Sequence, residues 1–210
     1  MESNIRKDEG SLKVGDRITV EIGPVAHGGH FIARHKGQVV FVRYGITGEE
    51  AVVEITSTSS KLARGDAIEI LKPSKDRVVP PCKYAVPGGC GGCDFQHIEI
   101  SAQLELKRSV IREQFSRLGR IEIDLDVLPA EPTNGLHWRT RMDFAISKSG
   151  KPGLYSARSK EVTEIDKCLI AVEAINDPAM FARSWKGDDR LEVDNLRFEF
   201  GGFVDDLLAF

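Results

Sequence analysis

The chain has 210 residues, 41% of them hydrophobic, with a formal charge of −3. That apolar content is enough to build cores and excludes a chain disordered throughout. The absence of any apolar run of spanning length excludes a membrane helix and leaves a soluble protein as the expectation.

The average charge conceals an asymmetry, because residues 1–160 carry 24 Lys and Arg against 20 Asp and Glu, whereas residues 161–210 carry 5 against 12. A basic leading part is compatible with a nucleic-acid footprint. Residues 1–13 are polar and expected to be disordered. The opening MESNIRKDEG has no apolar stretch of signal-peptide length, which places the chain in the cytoplasm.

From residue 14 the pattern turns to strands. RITVEI (17–22), GQVVFVRY (37–44), AVVEITS (51–57) and DAIEIL (66–71) are short, β-branched and partly alternating, with glycines between them. Four such strands in about 60 residues predict a small OB-like β-barrel over 14–72, a fold that binds single-stranded nucleic acid on a strand face and its loops. The segment AHGGHFIARHKG (26–37) holds three of the five histidines without a metal-ligand spacing, and reads as a solvated hairpin loop. Arg34 and Lys36 in it, and Arg43 and Tyr44 on the next strand, are candidate RNA contacts: cations for phosphate and a ring for stacking.

PSKDRVVPPC (73–82) is a proline-rich linker. The glycine-rich run CKYAVPGGCGGC follows, holding Cys82, Cys90 and Cys93; the fourth and last cysteine, Cys168, lies far downstream. The CxxC spacing of Cys90 and Cys93 lets both sulfurs of one turn face the same ion, and the glycines let backbone N–H groups approach those sulfurs. Two disulfides are the alternative, disfavoured in a reducing cytoplasm. Ligand chemistry alone leaves zinc and an iron–sulfur cluster equally compatible with the four thiols. GGCGGC is not a phosphate loop, since it lacks the Lys-Ser/Thr ending.

Beyond the cysteines, positions 104, 107, 111, 115 and 118 form a helical stripe, with Ser101 as N-cap and Gly119 as stop. The opposite face is basic, and Lys107 on this helix is a further candidate for RNA. Residues 121–128 and 138–147 read as strands; in the second, Arg139 and Arg141 share a face, and two adjacent guanidiniums call for an anion over them or for nearby carboxylates. GLYSA and KEVTEID follow as strands, Asp177-Pro178 as a helix start, and residues 190–201 as a strand. Residues 73–120 therefore read as linker, cysteine loop and basic helix, and 121–210 as a β-rich central domain. The fold class expected is mainly β with α: an OB-like barrel, a cysteine-rich loop, a helix and an α+β domain.

Taken together, RITVEI with AHGGHFIARHKGQVVFVRYGITGE, RVVPPC, CGGCDFQH, QLELK, HWRTRMDFAI, GLYSARS and EIDKC resemble one family over residues 14–170. It is the S-adenosylmethionine-dependent RNA uridine-5-methyltransferases, in the branch with an N-terminal TRAM domain and a [4Fe–4S] cluster. The resemblance implies that Cys82, Cys90, Cys93 and Cys168 are the cluster ligands, that 14–72 is the TRAM barrel, and that the central domain helps hold folded RNA, with ribosomal RNA favoured over transfer RNA. The interval from Cys82 to Cys90 is a couple of residues longer than the commonest family form, and the AVPGG loop takes up the difference.

Family members continue into a doubly wound catalytic domain that binds S-adenosylmethionine, and this sequence has no such segment. Methylating C5 of uracil needs a thiolate to attack C6 and a base to take the C5 proton. With all four cysteines assigned to the cage, no catalytic residue is expected here, and the chain alone is expected to be inactive, as a truncated or split product whose catalytic part is separate. Tyr44, Phe95 and Trp138 are the aromatic groups available to stack on unpaired bases. The alternatives are a zinc-stapled RNA- or ribosome-binding protein without activity, and an electron carrier, against which the lack of a second cluster motif argues.

Overall fold

The computed structural model describes residues 12–59, 61–129, 134–186 and 190–194, and the chain divides into two compact units, Met1–Lys75 and Asp76–Phe210. The expected disorder of 1–13 falls almost wholly outside the described residues, as does the strand expected beyond residue 194.

In the first unit one sheet contains β1 (Arg17–Glu21), β2 (Val25–Ala26), β3 (His30–His35), β4 (Gln38–Arg43), β5 (Glu50–Thr58) and β6 (Leu62–Lys72). Their order is β1-β5-β6-β4-β3-β2, antiparallel except for the parallel pair β4 and β6. Alternation decides what is inside: Ile18 and Val20, Phe31 and Ala33, Val40 and Val42, and Ala51, Val53 and Ile55 are all buried. Register shifts along β5 and β6 at Glu50/Ala51, Val52/Val53 and Ile55/Ser57 let two long strands curl rather than lie flat.

The curl closes where the chain leaves β1. The Gly23 N–H donates to the Ile32 carbonyl at 2.8 Å, and the Ile32 N–H donates to the Pro24 carbonyl at 2.9 Å. A Cβ at Gly23 would lie 2.5 Å from the Ile32 oxygen, so only glycine fits this closure. Glu49, wholly buried, fastens the same end: one carboxylate oxygen accepts the Ile46 N–H at 2.9 Å and the other the Ser74 N–H at 3.0 Å. The expected barrel strands are present. The expected hairpin loop at 26–37 is instead mostly β3, because Phe31 and Ala33 point into the core between polar neighbours.

The second unit is built on a four-stranded antiparallel sheet, β7 (Arg141–Ile146), β8 (Pro152–Tyr155), β9 (Val162–Glu164) and β10 (Arg190–Asp194), in the order β10-β7-β8-β9. Met142, Phe144 and Ile146 on the inner face of β7 pack with Ile165, Ile175 and Leu191. Phe181, on α2 (Pro178–Ala182), meets Phe144 edge-on with ring centroids 5.6 Å apart. Asp177 caps α2 by accepting the Ala179 N–H, as the Asp-Pro pair predicts.

The long helix α1 (Ile100–Gln114) continues into a π turn, Phe115–Gly119. Its N-cap is Glu99, whose carboxylate accepts the Ser101 N–H at 2.7 Å, and not Ser101. The left-handed residue that ends the turn is Arg120, at φ 52°, rather than Gly119. The apolar stripe is not covered: no residue of α1 is fully buried, and Phe115 and Leu118 are exposed. Residues 121–128, expected as a strand, find no partner strand. Their carboxylates turn to α1 instead, Asp124 and Asp126 lying 3.0 and 3.2 Å from Arg108 and Asp124 also pairing with Arg112. No helix among the described residues is long and apolar enough to cross a membrane.

Candidate functional site

All four cysteines line one cavity in the second unit, together with Tyr84, Gln96 and Arg139, and none is in a disulfide. Cys90 and Cys168 are buried and the other two half-buried. Two separate stretches of chain supply the thiols. The first is tied off at its base, where Arg77 and Ile98 form a bridge and the Val78 N–H donates to the His97 carbonyl at 3.0 Å.

Within that loop the Ala85 N–H returns to the Cys82 carbonyl and the Cys90 N–H to the Tyr84 carbonyl, folding the three cysteines onto one side. The turn then leans on the end of β8: the Gly91 N–H donates to the Tyr155 carbonyl at 3.0 Å, and Cys90 bridges Ser156. A Cβ on Gly91 would sit 2.7 Å from the Ala157 nitrogen, so any side chain would push the CxxC turn off the sheet. Lys83 and Asp166 pair at 2.7 Å, and the Asp166 N–H donates to the Tyr84 hydroxyl at 3.1 Å, joining the loop to the segment that leads to Cys168. The Lys83 ammonium holds the Asp166 carboxyl below its ordinary range.

The fourth thiol is placed by Asn176. Its buried amide accepts the Cys168 N–H at 2.8 Å and donates to the Cys168 carbonyl at 3.0 Å. Gln96 does comparable work in the loop, accepting the Cys82 N–H at 3.1 Å while its amide donates to the Cys93 sulfur at 3.2 Å. The Gly92 N–H lies 3.4 Å from the Cys90 sulfur, the approach that glycines in this run allow.

Burial pushes the Cys93 thiol up to about 11, against the lowering influence of Gln96, and the other three cysteines each raise it slightly through their charge. Burial also raises Cys168, partly offset by the N–H groups of Ile170 and Ala171 and by the nearby Arg139. Binding a cationic centre here must therefore drive off protons. The donor set, four thiols in a largely apolar pocket with the Gly92 N–H on the Cys90 sulfur, fits a soft metal centre. Among the described residues no three His, Cys, Asp or Glu side chains are drawn tightly enough together to share a single ion.

The residues expected to meet RNA have different fates. Arg34 and Lys36 are exposed on the first unit, Lys36 at φ 47° in the turn between β3 and β4. Arg43 and Tyr44 are both 6% exposed, the guanidinium 4.9 Å from the ring centroid. Neither is exposed, unlike the open contact groups expected there. Phe95 is half-buried in the cysteine loop, and Lys107 is exposed on α1. The rest of that basic face is neutralised: Arg108 and Arg112 by Asp124, and Arg117 by Glu113 at 3.4 Å.

Arg139 and Arg141 do not stand as an open pair. Arg141 pairs with Glu192 of β10, while Arg139 donates to the Arg141 carbonyl at 3.1 Å and lies at the cavity. Of the two partners open to the strand arginines, an anion or nearby carboxylates, Arg141 has a carboxylate of this chain. Trp138, in the strand expected over 138–147 and named among the aromatic groups available to stack, is 50% exposed and precedes β7, which begins only at Arg141. Sequence reasoning missed Gln96 and Asn176. Gln96 stands three residues after Cys93, a place from which a side chain can reach back to the turn; Asn176 carries no local signal.

Residues 11–68 match the TRAM domain family. The chain is 45% identical over 193 residues to an uncharacterized RNA methyltransferase of Streptomyces coelicolor, covering 86% of this chain and 42% of that protein. It is 43% identical over 193 residues to another from Streptomyces avermitilis, covering 86% and 45%. Among solved structures, a tRNA (uracil-54, C5)-methyltransferase of Pyrococcus abyssi in complex with S-adenosyl-L-homocysteine aligns with TM-score 0.46 and 26% identity, over 72% of this chain and 32% of that one. The chain is homologous to RNA methyltransferases and spans somewhat over two fifths of the length of the curated relatives it matches.

Proposed function

We propose that this chain is the RNA-recognising part of an S-adenosylmethionine-dependent RNA uracil-C5 methyltransferase, and that Cys82, Cys90, Cys93 and Cys168 hold a [4Fe–4S] cluster in it. The observation that carries the proposal is the meeting of four thiols from two distant stretches around one cavity, in a chain homologous to RNA methyltransferases.

Ligand chemistry alone leaves one zinc ion and a cluster equally compatible with four thiols, and the resemblance to the cluster-bearing branch of the family favours the cluster. A cluster would supply cross-linking: methyl transfer moves no net electrons between enzyme and RNA, so its work is to tie the loop at 82–93 to Cys168. Gln96 would orient Cys82 and Cys93 and Asn176 would orient Cys168, and Tyr84 with Lys83 and Asp166 keeps the two stretches in register. Uracil attack at C6 needs a thiol, and the four present are all at this cavity, which assigns that step and the methyl donor to residues beyond these.

RNA binding then falls to the exposed cations of the TRAM barrel, Arg34 and Lys36 first, with Lys107 and Arg139 on the second unit. Ribosomal RNA is the preferred substrate class, on the resemblance to the TRAM-bearing branch. Affinity for a ribosomal RNA fragment is expected to fall linearly on a plot of log K against log salt, with about 0.7 in slope for each single-strand phosphate neutralised. Titration of the anaerobically purified chain with that fragment, with a transfer RNA and with duplex DNA checks this. A preference for transfer RNA would overturn the substrate class, and the absence of salt-dependent RNA binding would overturn the function.

A further inference from the structure

The strands of the first unit separate their charges. Residues 30–43 and 62–65, which form β3, β4 and the start of β6, contain no Asp or Glu but hold Arg34, Lys36 and Arg64 with His30 and His35, besides the buried Arg43. The strand acids Glu21, Glu50, Glu54, Asp66 and Glu69 all lie on β1, on β5 or farther along β6. Since β3, β4 and β6 are neighbours, this composition becomes one positive flank of the barrel.

At its centre stands Phe41. Val40 and Val42 point inward, so alternation turns the Phe41 ring to the outer face, where it is only half-buried. In register it lies between Ile32 of β3 and Arg64 of β6. The Arg64 guanidinium is 5.8 Å from the ring centroid, near the limit of a cation–π contact, and the His30 ring meets Phe41 edge-on at 6.2 Å. A large aromatic ring held on the outside of a sheet and ringed by cations has the composition of a base-stacking platform.

We propose that Phe41, flanked by Arg64, His30 and Arg34 on the outer face of β3, β4 and β6, stacks an unpaired base of single-stranded RNA while the two arginines take its phosphates. The inference rests on the RNA-binding reading above and assigns it a face. The loose Arg64–Phe41 contact gives way to, or is shared with, the incoming base, and Asp66, opposite Arg43 and two residues beyond Arg64 on the same face of β6, bounds the positive flank at that end.

The test is binding of an unstructured pyrimidine-rich RNA oligonucleotide to the full chain, followed by fluorescence anisotropy. Phe41→Ala should weaken binding by about tenfold or more, the range for loss of one stacked base, while Phe41→Tyr keeps it. Arg64→Ala should weaken binding and lower the salt slope by about one phosphate's worth. Circular dichroism on each variant establishes that the barrel is intact; if Phe41→Ala does not fold, Phe41→Leu, which keeps the apolar packing and removes the π face, takes its place with the same expectation. Parent-like affinity in a folded Phe41→Ala or Phe41→Leu, with salt-dependent binding retained, overturns this face alone and points to a protein partner for it. A parent chain that binds no RNA overturns this inference and the proposed function together.

Discussion

Cys168→Ser is expected to yield colourless protein that has lost its iron and acid-labile sulfide, together with the fixed tertiary structure of the second unit. The parent, prepared without oxygen, should be brown, with about four irons per chain for a [4Fe–4S] centre. Cys168 is the most informative of the four ligands because it alone comes from the distant stretch. Serine there leaves three sulfurs on a loop held to the sheet by the Gly91–Tyr155 hydrogen bond and the Lys83–Asp166 pair, and exposed ion pairs of this kind contribute little. Thiolate-held structural metals contribute on the order of 10 kcal/mol to folding, far more than those contacts. Metal analysis, the visible spectrum and near-ultraviolet circular dichroism of parent and variant decide the matter. Parent protein free of iron, or a Cys168→Ser variant that keeps its full iron content, would overturn the cluster, and one zinc per chain in the parent would replace it with a zinc staple.

Glu49→Ala should strongly destabilise the first unit. The carboxylate has no solvent exposure and satisfies two backbone N–H groups, those of Ile46 and Ser74. Alanine leaves both donors in an apolar end of the barrel with nothing to accept them, a loss of about 2–5 kcal/mol. For a unit of this size that corresponds to a melting temperature lower by on the order of 10 °C or more. Glu49→Gln keeps one acceptor oxygen but turns an amide toward the second donor, so it should fall between alanine and the parent. Thermal unfolding followed by circular dichroism measures all three, and a Glu49→Ala melt within a few degrees of the parent would show that water takes over the carboxylate's bonds.

Much of this structure follows from local chemistry, and its failures have local causes too. The barrel strands were legible because Ile18 and Val20, Val40 and Val42, and Val53 and Ile55 alternate with polar residues, a period that only a half-buried strand needs. β3 hid behind its outward residues, since His30, Arg34 and His35 read as loop while Phe31 and Ala33 did the packing. The opposite error occurred at 121–128, where residues 121–127 alternate but no partner strand stands among the described residues. A periodic pattern states which face is apolar and says nothing of whether a neighbour exists.

At the cavity, Cys90 and Cys93 announced themselves by spacing, whereas the helpers did not. Asn176 reaches Cys168 through a short turn that no periodicity encodes, and Arg141 finds its carboxylate in Glu192, on a strand 51 residues farther along. Arg43 and Tyr44 looked like surface groups by residue type, yet both are buried. Residue type predicts preference; which side of a closed sheet faces water is settled only by closure.

The bracket that Asn176 places on both sides of the Cys168 peptide also sets an order of events during synthesis. A nascent polypeptide halted anywhere between residues 93 and 168 presents three sulfurs and no fourth, and even at residue 168 the last one has nothing to aim it. For the cluster proposed above, assembly with all four thiols held in place would wait until Asn176 has cleared the ribosomal exit tunnel.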